Sequence, residues 1–341
     1  MDDATTSVHC TARDGGVIAD LLRSLSGKSV AVIGHVRPDG DCIGAQVALT
    51  RVLRALGASA IAVNEHAVPR NQKAFVGDTP FFFPAQVPDL GERYIVSVDC
   101  ASEKRLGIEV RSRIGKIRLN IDHHISNEKF GEKNFIYPAA CATSEVLASV
   151  FLDNGLPVDA VTAQALYVGI ATDTGQFKFP NTTRQSFELC CKLMELGADP
   201  GSAARELYEN EPMSKMLLLR AYLESLKFEF GGVVCVGILP QDIWAKTGAT
   251  KEETEGLVDY ARDIEGVKIG VILEFREGSV KGSFRAKDDS MRVDLLAAKF
   301  GGGGHPAAAG FNAEMPPAVF YPAMIEAIRE HLLQFSQLQT T

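Results

Sequence analysis

The chain has 341 residues, room for two domains of ordinary size, and its 46% hydrophobic and 23% charged residues fit a soluble globular protein. A formal net charge of −8 argues against a protein that coats long or duplex nucleic acid, because phosphate neutralisation by cations supplies most of that affinity. A small anionic substrate stays open, since local charge decides its binding.

Seven cysteines without a CxxC pair, two of them the adjacent Cys190 and Cys191, suggest neither a disulfide framework nor a zinc knuckle. A reduced, cytoplasmic setting is expected. The opening segment MDDATTSVHC lacks the basic stretch and apolar run of a secretory signal. No stretch approaches the roughly 18 apolar residues of a membrane span, so no membrane association is expected.

In chain order, SVAVIGH (29–35) is a short β-rich run, RPDGD a turn, and CIGAQVALTRVLRALG a helix ending at Gly57. SAIAVNE, RYIVSVDC (93–100) and KIRLNIDHH (116–124) read as strands, and CATSEVLASVFLDNG and VDAVTAQALYVGIATD as helices. Strands alternating with helices predict a parallel sheet covered on both faces. RQSFELCCKLMELG and PGSAARELYENEPMSKMLLLRAYLESL are helical with no strand between them, which marks a connector. KFEFGGVVCVGILP, KIGVILEFREG and SVKGSFRAK then read as strands, with the helix-like TKEETEGLVDYARDI between the first two. VDLLAAKF and the segment after Pro317 read as helices. The expected architecture is α/β throughout: a parallel-sheet domain over 1–190, a helical connector over 191–220, and a smaller α/β domain over 221–341.

The ends of the first-domain strands hold the informative residues, because open α/β sheets bind ligands beyond the carboxyl ends of their strands. GHVRPDGDCIGA offers His35, Asp39 and Asp41. Asp99 closes YIVSVDC, Asp122, His123 and His124 close IRLNIDHH, and Asp173 lies in GIATDTGQF. Any one of these reads most simply as a cap or turn residue. Together they are a set of acceptors that independent turns would not all carry. Five or six His and Asp ligands exceed one tetrahedral zinc with an open position and suit two octahedral cations sharing a carboxylate. Mostly oxygen with some imidazole favours Mn²⁺, with Mg²⁺ or Co²⁺ as alternatives. Two such ions clamp both oxygens of an in-line displacement on phosphorus.

GHVRPDGDCIGA, VDC, NIDHH and GIATDTG resemble the four successive motifs of the DHH phosphoesterases, and GSFRAK with GGGGHPAAAG resembles that family's associated C-terminal domain. The resemblance runs over roughly residues 28–312. Length and domain layout are most like the bacterial members that act as oligoribonucleases and as 3′-phosphoadenosine-5′-phosphate (pAp) phosphatases. It implies an active site in the cleft between the two domains and a homodimer. By motif, it implies His35, Asp39 and Asp99 at one metal and Asp41, Asp99, His123 and Asp173 at the other. It implies that Asp122 orients an imidazole and that His124 faces the phosphate and leaving group. Cys42 and Ala45 depart from the small residues of many relatives, at positions that need not touch a metal.

In the second domain, Arg285 at a strand end offers a fork for phosphate. Gly301–Gly304 removes side chains so that backbone N–H groups can cradle an anion, which makes Gly302, Gly303 and Gly304 candidate substrate contacts with His305 beside them. Arg184 reads as structural, Phe177, Phe179 and Trp244 as packing, and His9, His66 and His331 as residues without a role in the site. The implied activity is metal-dependent hydrolysis of short oligoribonucleotides to mononucleotides, of pAp to AMP, or both. The nearest alternative is a phosphodiesterase for pApA or cyclic-di-AMP with the same residues. More distant alternatives are an exopolyphosphatase or pyrophosphatase, a single-strand DNA exonuclease, and a non-catalytic nucleotide-binding protein.

Overall fold

The computed structural model describes residues 12–338, so His9 lies outside the described residues. The chain divides into two compact units, one ending at Asn210 and one beginning at Glu211.

The first unit comprises α1 (Ala12–Arg23), β1 (Ser29–Ile33), α2 (Gly40–Ala55), β2 (Ser59–Val63), β3 (Phe81–Phe82), β4 (Tyr94–Val98), α3 (Ile108–Arg113), β5 (Ile117–Asp122), β6 (Lys133–Ile136), α4 (Thr143–Asp153), α5 (Ala160–Asp173), α6 (Arg184–Glu195) and α7 (Pro200–Tyr208). Its sheet has the order β3-β2-β1-β4-β5-β6, and every pairing is parallel. Both faces are buried, which is why β1, β4 and β5 read as near-continuous apolar runs. Val30, Val32, Val96, Val98, Leu119 and Ile121 point into one core with residues of α2, α4 and α5. Ala31, Ile33, Ile95 and Ile117 point the other way, against Leu106 and Val110. Phe151 is fully buried in the first of these cores, where truncation to Ala costs about 3–5 kcal/mol.

The second unit comprises α8 (Met213–Glu224), β7 (Lys227–Glu229), β8 (Val234–Leu239), α9 (Ile243–Thr247), α10 (Leu257–Arg262), β9 (Ile269–Arg276), β10 (Ser279–Ala286), α11 (Val293–Ala298), β11 (Gly303–His305), β12 (Ala308–Ala313) and α12 (Pro317–Leu338). Its sheet order is β11-β12-β10-β9-β8-β7, antiparallel except for β8 beside β9. One face packs Val271, Phe284 and Phe311 against α11 and α12, and the other packs Cys235 and Ile272 against α8 and α10.

The structure departs from the sequence reading in several places. The long helical run after Pro200 is two helices, because Pro212 supplies no N–H and its fixed φ starts α8 afresh. The helices of the expected 191–220 connector fall on both sides of the division at Asn210. KFEFGGVVCVGILP is two strands, β7 and β8, because Gly231 and Gly232 take positive φ between them. The sequence reading missed α1, α3, α9, β3 and β6. GGGGHPAAAG is not an open loop: it forms the hairpin β11–β12. Among the described residues, no helix is long and apolar enough to cross a membrane.

Candidate metal centre

The order of the first sheet reverses between β1 and β4, and that switch point is where open α/β sheets hold ligands. His35 follows β1, Asp99 follows β4, and Asp122, His123 and His124 end β5. Asp39 caps α2, accepting from Cys42 N at 3.1 Å, and Asp41 follows in the first turn. Asp99 adopts φ +51°, a left-handed conformation that Asp tolerates better than most residues but that still costs strain. Asp173 is the last residue of α5.

Two glycines bring α2, α4 and α5 close enough for these residues to meet. A Cβ on Gly44 would lie 2.4 Å from Ala165 O. A Cβ on Gly169 would lie 2.0 Å from Ser144 Oγ and 2.8 Å from Asp41 Oδ1. Asp41 is thereby set at the start of α4, accepting from Thr143 N at 2.6 Å and Ser144 N at 2.8 Å.

Asp99 sits among three imidazoles. Its Oδ2 lies 3.4 Å from His35 Nε2, and its Oδ1 lies 3.7 Å from His123 Nε2 and 3.6 Å from His124 Nδ1. Thr143 Oγ1 donates to the same Oδ1 at 3.1 Å. Asp39 Oδ2 is 3.5 Å from His35 Nε2, and Asp173 Oδ2 is 3.2 Å from His123 Nε2. Asp122 accepts from His124 Nδ1 at 2.8 Å and from Asn127 Nδ2 at 2.6 Å, so it fixes the His124 ring. Asn127 Nδ2 also reaches Cys100 O at 3.0 Å, which ties this carboxylate to the β4 end.

The residues fit divalent cations on three observations. First, His35 Nδ1 lies 2.9 Å from Val36 O and His123 Nδ1 lies 3.2 Å from Ala140 O. Each backbone carbonyl accepts from the Nδ1–H, so that Nε2 is the nitrogen that offers a lone pair once the ring is neutral. Second, both Nε2 atoms are buried and make no well-formed hydrogen bond among the described residues. Third, the buried carboxylates crowd one another. Burial and the neighbouring Asp99 and Asp173 push Asp41 well above the ordinary carboxylate range. Burial, Asp39 and Asp99 push Asp173 up to about 6 despite its contact with His123, and the negative end of the α5 dipole adds nothing favourable there.

The imidazoles respond in the opposite sense. Burial opposes their charge, but Asp173, Asp99 and Asp41 carry His123 up to about 10, and Cys42, Asp39 and Asp99 carry His35 well above the usual imidazole range. Asp39 is held down to about 2, burial being outweighed by His35, and the His124 hydrogen bond outweighs burial to lower Asp122. In the metal-free protein the two imidazoles therefore carry protons that partly balance the acids. Divalent cations would do so better.

In the second unit, Arg285 on β10 is in register with Ala308 on β12, and Ala308 is in register with His305 on β11. Directly opposed residues share a sheet face, so Arg285 and His305 flank a single alanine on one side. Arg285 is half-buried, burial lowers its pKa, and Nη1 donates to Phe284 O at 3.1 Å, leaving donors for an anion. Gly302 and Gly304 are required by close approach: a Cβ would lie 2.2 Å from Gly310 O and 2.4 Å from Ala308 O respectively. Gly303 meets nothing within 4 Å.

Residues 29–170 match the model of the DHH family, N-terminal domain, and residues 231–336 match the DHHA1 domain. The chain is 31% identical over 324 residues to a bifunctional oligoribonuclease and PAP phosphatase of Thermus thermophilus, covering 94% of this chain and 95% of the relative. The chain belongs to the DHH family of phosphoesterases. It is a hydrolase acting on phosphate esters, and the family's phosphoesterases depend on divalent metal ions. The bifunctional oligoribonuclease and PAP phosphatase of Bacillus subtilis is 27% identical, with 85% and 91% of the two chains covered. The solved structure of an exopolyphosphatase-related protein from Bacteroides fragilis shares the fold, with a TM-score of 0.84 at 21% identity over 96% of this chain and 98% of that one.

Three residues of this DHH centre escaped the sequence reading. Thr143 and Ser144 hold Asp99 and Asp41, and Asn127 holds Asp122. The spacing of Asn127 behind the DHH triplet was the one available signal. Cys42, at a position that need not touch a metal, has its sulfur within 4.8 Å of ligand atoms of His35 and Asp99. Outside the centre, Phe177 packs between Tyr167 and Phe187, whereas Phe179 is about half-exposed over Gly175 rather than in the core. Trp244 packs at the edge of the α8–α10 core. Arg184 pairs with Glu188 on the surface, His66 accepts from Arg37 N, and His331 is buried beside Met291 O.

Proposed function

We propose that the chain is a Mn²⁺-dependent phosphoesterase that hydrolyses short oligoribonucleotides to mononucleotides and pAp to AMP with two divalent cations. The observation that carries this reading is the pair of imidazoles whose buried Nε2 atoms converge on the single carboxylate of Asp99. The substrates follow from relatives, similar over nearly the whole chain, that are named for these two activities.

In this reading His35, Asp39 and Asp99 hold one cation, and Asp41, Asp99, His123 and Asp173 hold the other. Bound there, the cations supply Lewis-acid neutralisation of the phosphoryl oxygens and activate water. Mostly carboxylate donors with two imidazoles favour Mn²⁺ over softer ions. Asp122 holds the His124 ring by Nδ1 and leaves Nε2 to face the phosphate or the leaving oxygen, to which it can donate when the ring carries both protons. Arg285 and His305 bind the phosphates that are not cleaved, and Gly303, with open space where a side chain would stand, lets the substrate approach the backbone, whereas Gly302 and Gly304 serve the packing against β12. The unpaired cysteines support a reduced cytoplasmic setting, and a homodimer belongs to the same reading.

The test is one Mn²⁺-supplemented panel of pAp, pApA, cyclic-di-AMP, oligoribonucleotides of graded length and pyrophosphate. Preferential release of AMP from pAp and of mononucleotides from short RNA supports the reading. Turnover confined to a cyclic dinucleotide or to pyrophosphate overturns it.

A further inference from the structure

Cys42 has no part in the reading above, yet its position is unusual for a core cysteine. It is fully buried in the first turn of α2, and its sulfur, a ring nitrogen of His35 and a carboxylate oxygen of Asp99 all lie within 4.8 Å of one another. The room for the sulfur comes from Gly34, where a Cβ would lie 2.3 Å from Cys42 Sγ. The only hydrogen bond the sulfur makes among the described residues is a long one, 4.0 Å to Gln46 Oε1. That oxygen also accepts a shorter bond from Asn64 Nδ2 at 2.7 Å. Cys100, adjacent to Asp99, behaves differently: its thiol donates to Ser102 O at 3.1 Å and belongs to no such cluster among the described residues. His35 is 98% buried, and its Nε2, without a well-formed hydrogen bond among the described residues, sits 3.4 Å from Asp99 and 3.5 Å from Asp39.

We propose that His35, Cys42, Asp99 and Asp39 form a thiolate-containing pocket that prefers a soft divalent cation, Zn²⁺ or Cd²⁺, over Mn²⁺. One nitrogen, one sulfur and two carboxylates are the donor number and type that tetrahedral zinc takes, whereas Asp41, His123 and Asp173 offer no sulfur. On binding, the S–H bond of Cys42 breaks, the proton leaves to solvent, and the sulfur keeps the electron pair that ligates the cation. A soft ion would thus displace Mn²⁺ selectively from the position nearest β1. The inference rests on the proposed assignment of a cation to His35 and Asp99.

The experiment titrates the metal-stripped full chain with Cd²⁺ and follows the sulfur-to-cadmium charge-transfer band in the ultraviolet. Mn²⁺ and Zn²⁺ affinities are measured in parallel by chelator competition. Wild type and Cys191→Ser, which removes the one exposed described thiol, should show the band at one equivalent. Cys42→Ser and Cys42→Ala should lose the band and bind Zn²⁺ about tenfold or more weakly, the scale on which loss of even an outer partner weakens a site. A band that persists in both Cys42 variants, or an unchanged Zn²⁺ affinity, overturns the inference. If both variants fail to fold, cadmium NMR of the wild-type chain decides between one sulfur ligand and none. Mn²⁺ binding without any band in wild type defeats this inference alone; failure to bind any of the three ions defeats the metal-centre reading itself.

Discussion

Replacing Asp173 by Asn should stabilise the metal-free protein while destroying its response to metal. Asp173 ends α5 with its side chain only 25% exposed, and burial together with Asp39 and Asp99 pushes its pKa from 3.8 to about 6. At about 1.4 kcal/mol per pKa unit, that displacement is worth about 3 kcal/mol. The sign follows from linkage. The raised folded pKa means that stability present below the unfolded value is lost as pH rises through about 6. At pH 8 the wild type therefore bears the cost in full and the Asn variant does not. The variant forfeits part of the His123 contact, so a net gain of about 1–3 kcal/mol, a rise of a few degrees in Tm, is expected at pH 8. Near pH 4 the two proteins should melt together. Saturating Mn²⁺ should reverse the order, since a ligand at a hundred times its Kd adds about 2.7 kcal/mol to the protein that binds it. Thermal melts of both proteins with and without Mn²⁺ at the two pH values provide the assay. A metal-free variant less stable than wild type at pH 8, or an equal Mn²⁺ shift in both, would refute the charge argument.

Apparent Mn²⁺ affinity, measured by calorimetry, should rise steadily with pH, because the cation must displace a proton from His123, held up to about 10. In the metal-free protein the stability that His123 lends is complete below its unfolded value and fades as pH rises through about 10. His124→Ala should lower kcat by on the order of 10²–10⁴ with little change in KM, and Asp122→Asn should reproduce part of that loss; unchanged kcat in both would remove them from the chemistry. Arg285→Ala should mainly raise KM, and an unchanged kcat/KM for pAp and for dinucleotides would take Arg285 out of the site. RNAs of about two to five nucleotides should be degraded much faster than long ones, with a shallow salt slope because few phosphates are neutralised.

The parts of this molecule that were legible in the sequence are those where one local pattern does one job. β1, β4 and β5 are buried on both faces and read as apolar runs, and the polar residues at their ends stood out against them. The elements that were missed lack that contrast. β3 has two residues, β6 is an edge strand with half its residues polar, and the glycines of β11 carry no side-chain pattern at all. Glycine there serves close strand approach, which resembles loop composition until Gly310 O is seen against Gly302. Cys42 was invisible for a related reason. Its spacing marks only a position that need not touch a metal, and only the fold sets its sulfur beside His35 through the missing side chain of Gly34. Thr143 and Ser144 act through the start of α4, a hundred residues from the Asp41 they hold, and no local spacing reports that.

The central claim is that Asp99 bridges two cations. It is tested most directly by counting tightly bound Mn²⁺ per chain, by metal analysis after equilibrium dialysis, in wild type and in Asp99→Asn, with pAp hydrolysis measured on the same samples. Two ions per wild-type chain, loss of at least one in the variant, and turnover lower by several orders of magnitude are the expected results. A single ion in wild type, or full activity and full metal content in Asp99→Asn, would contradict the account.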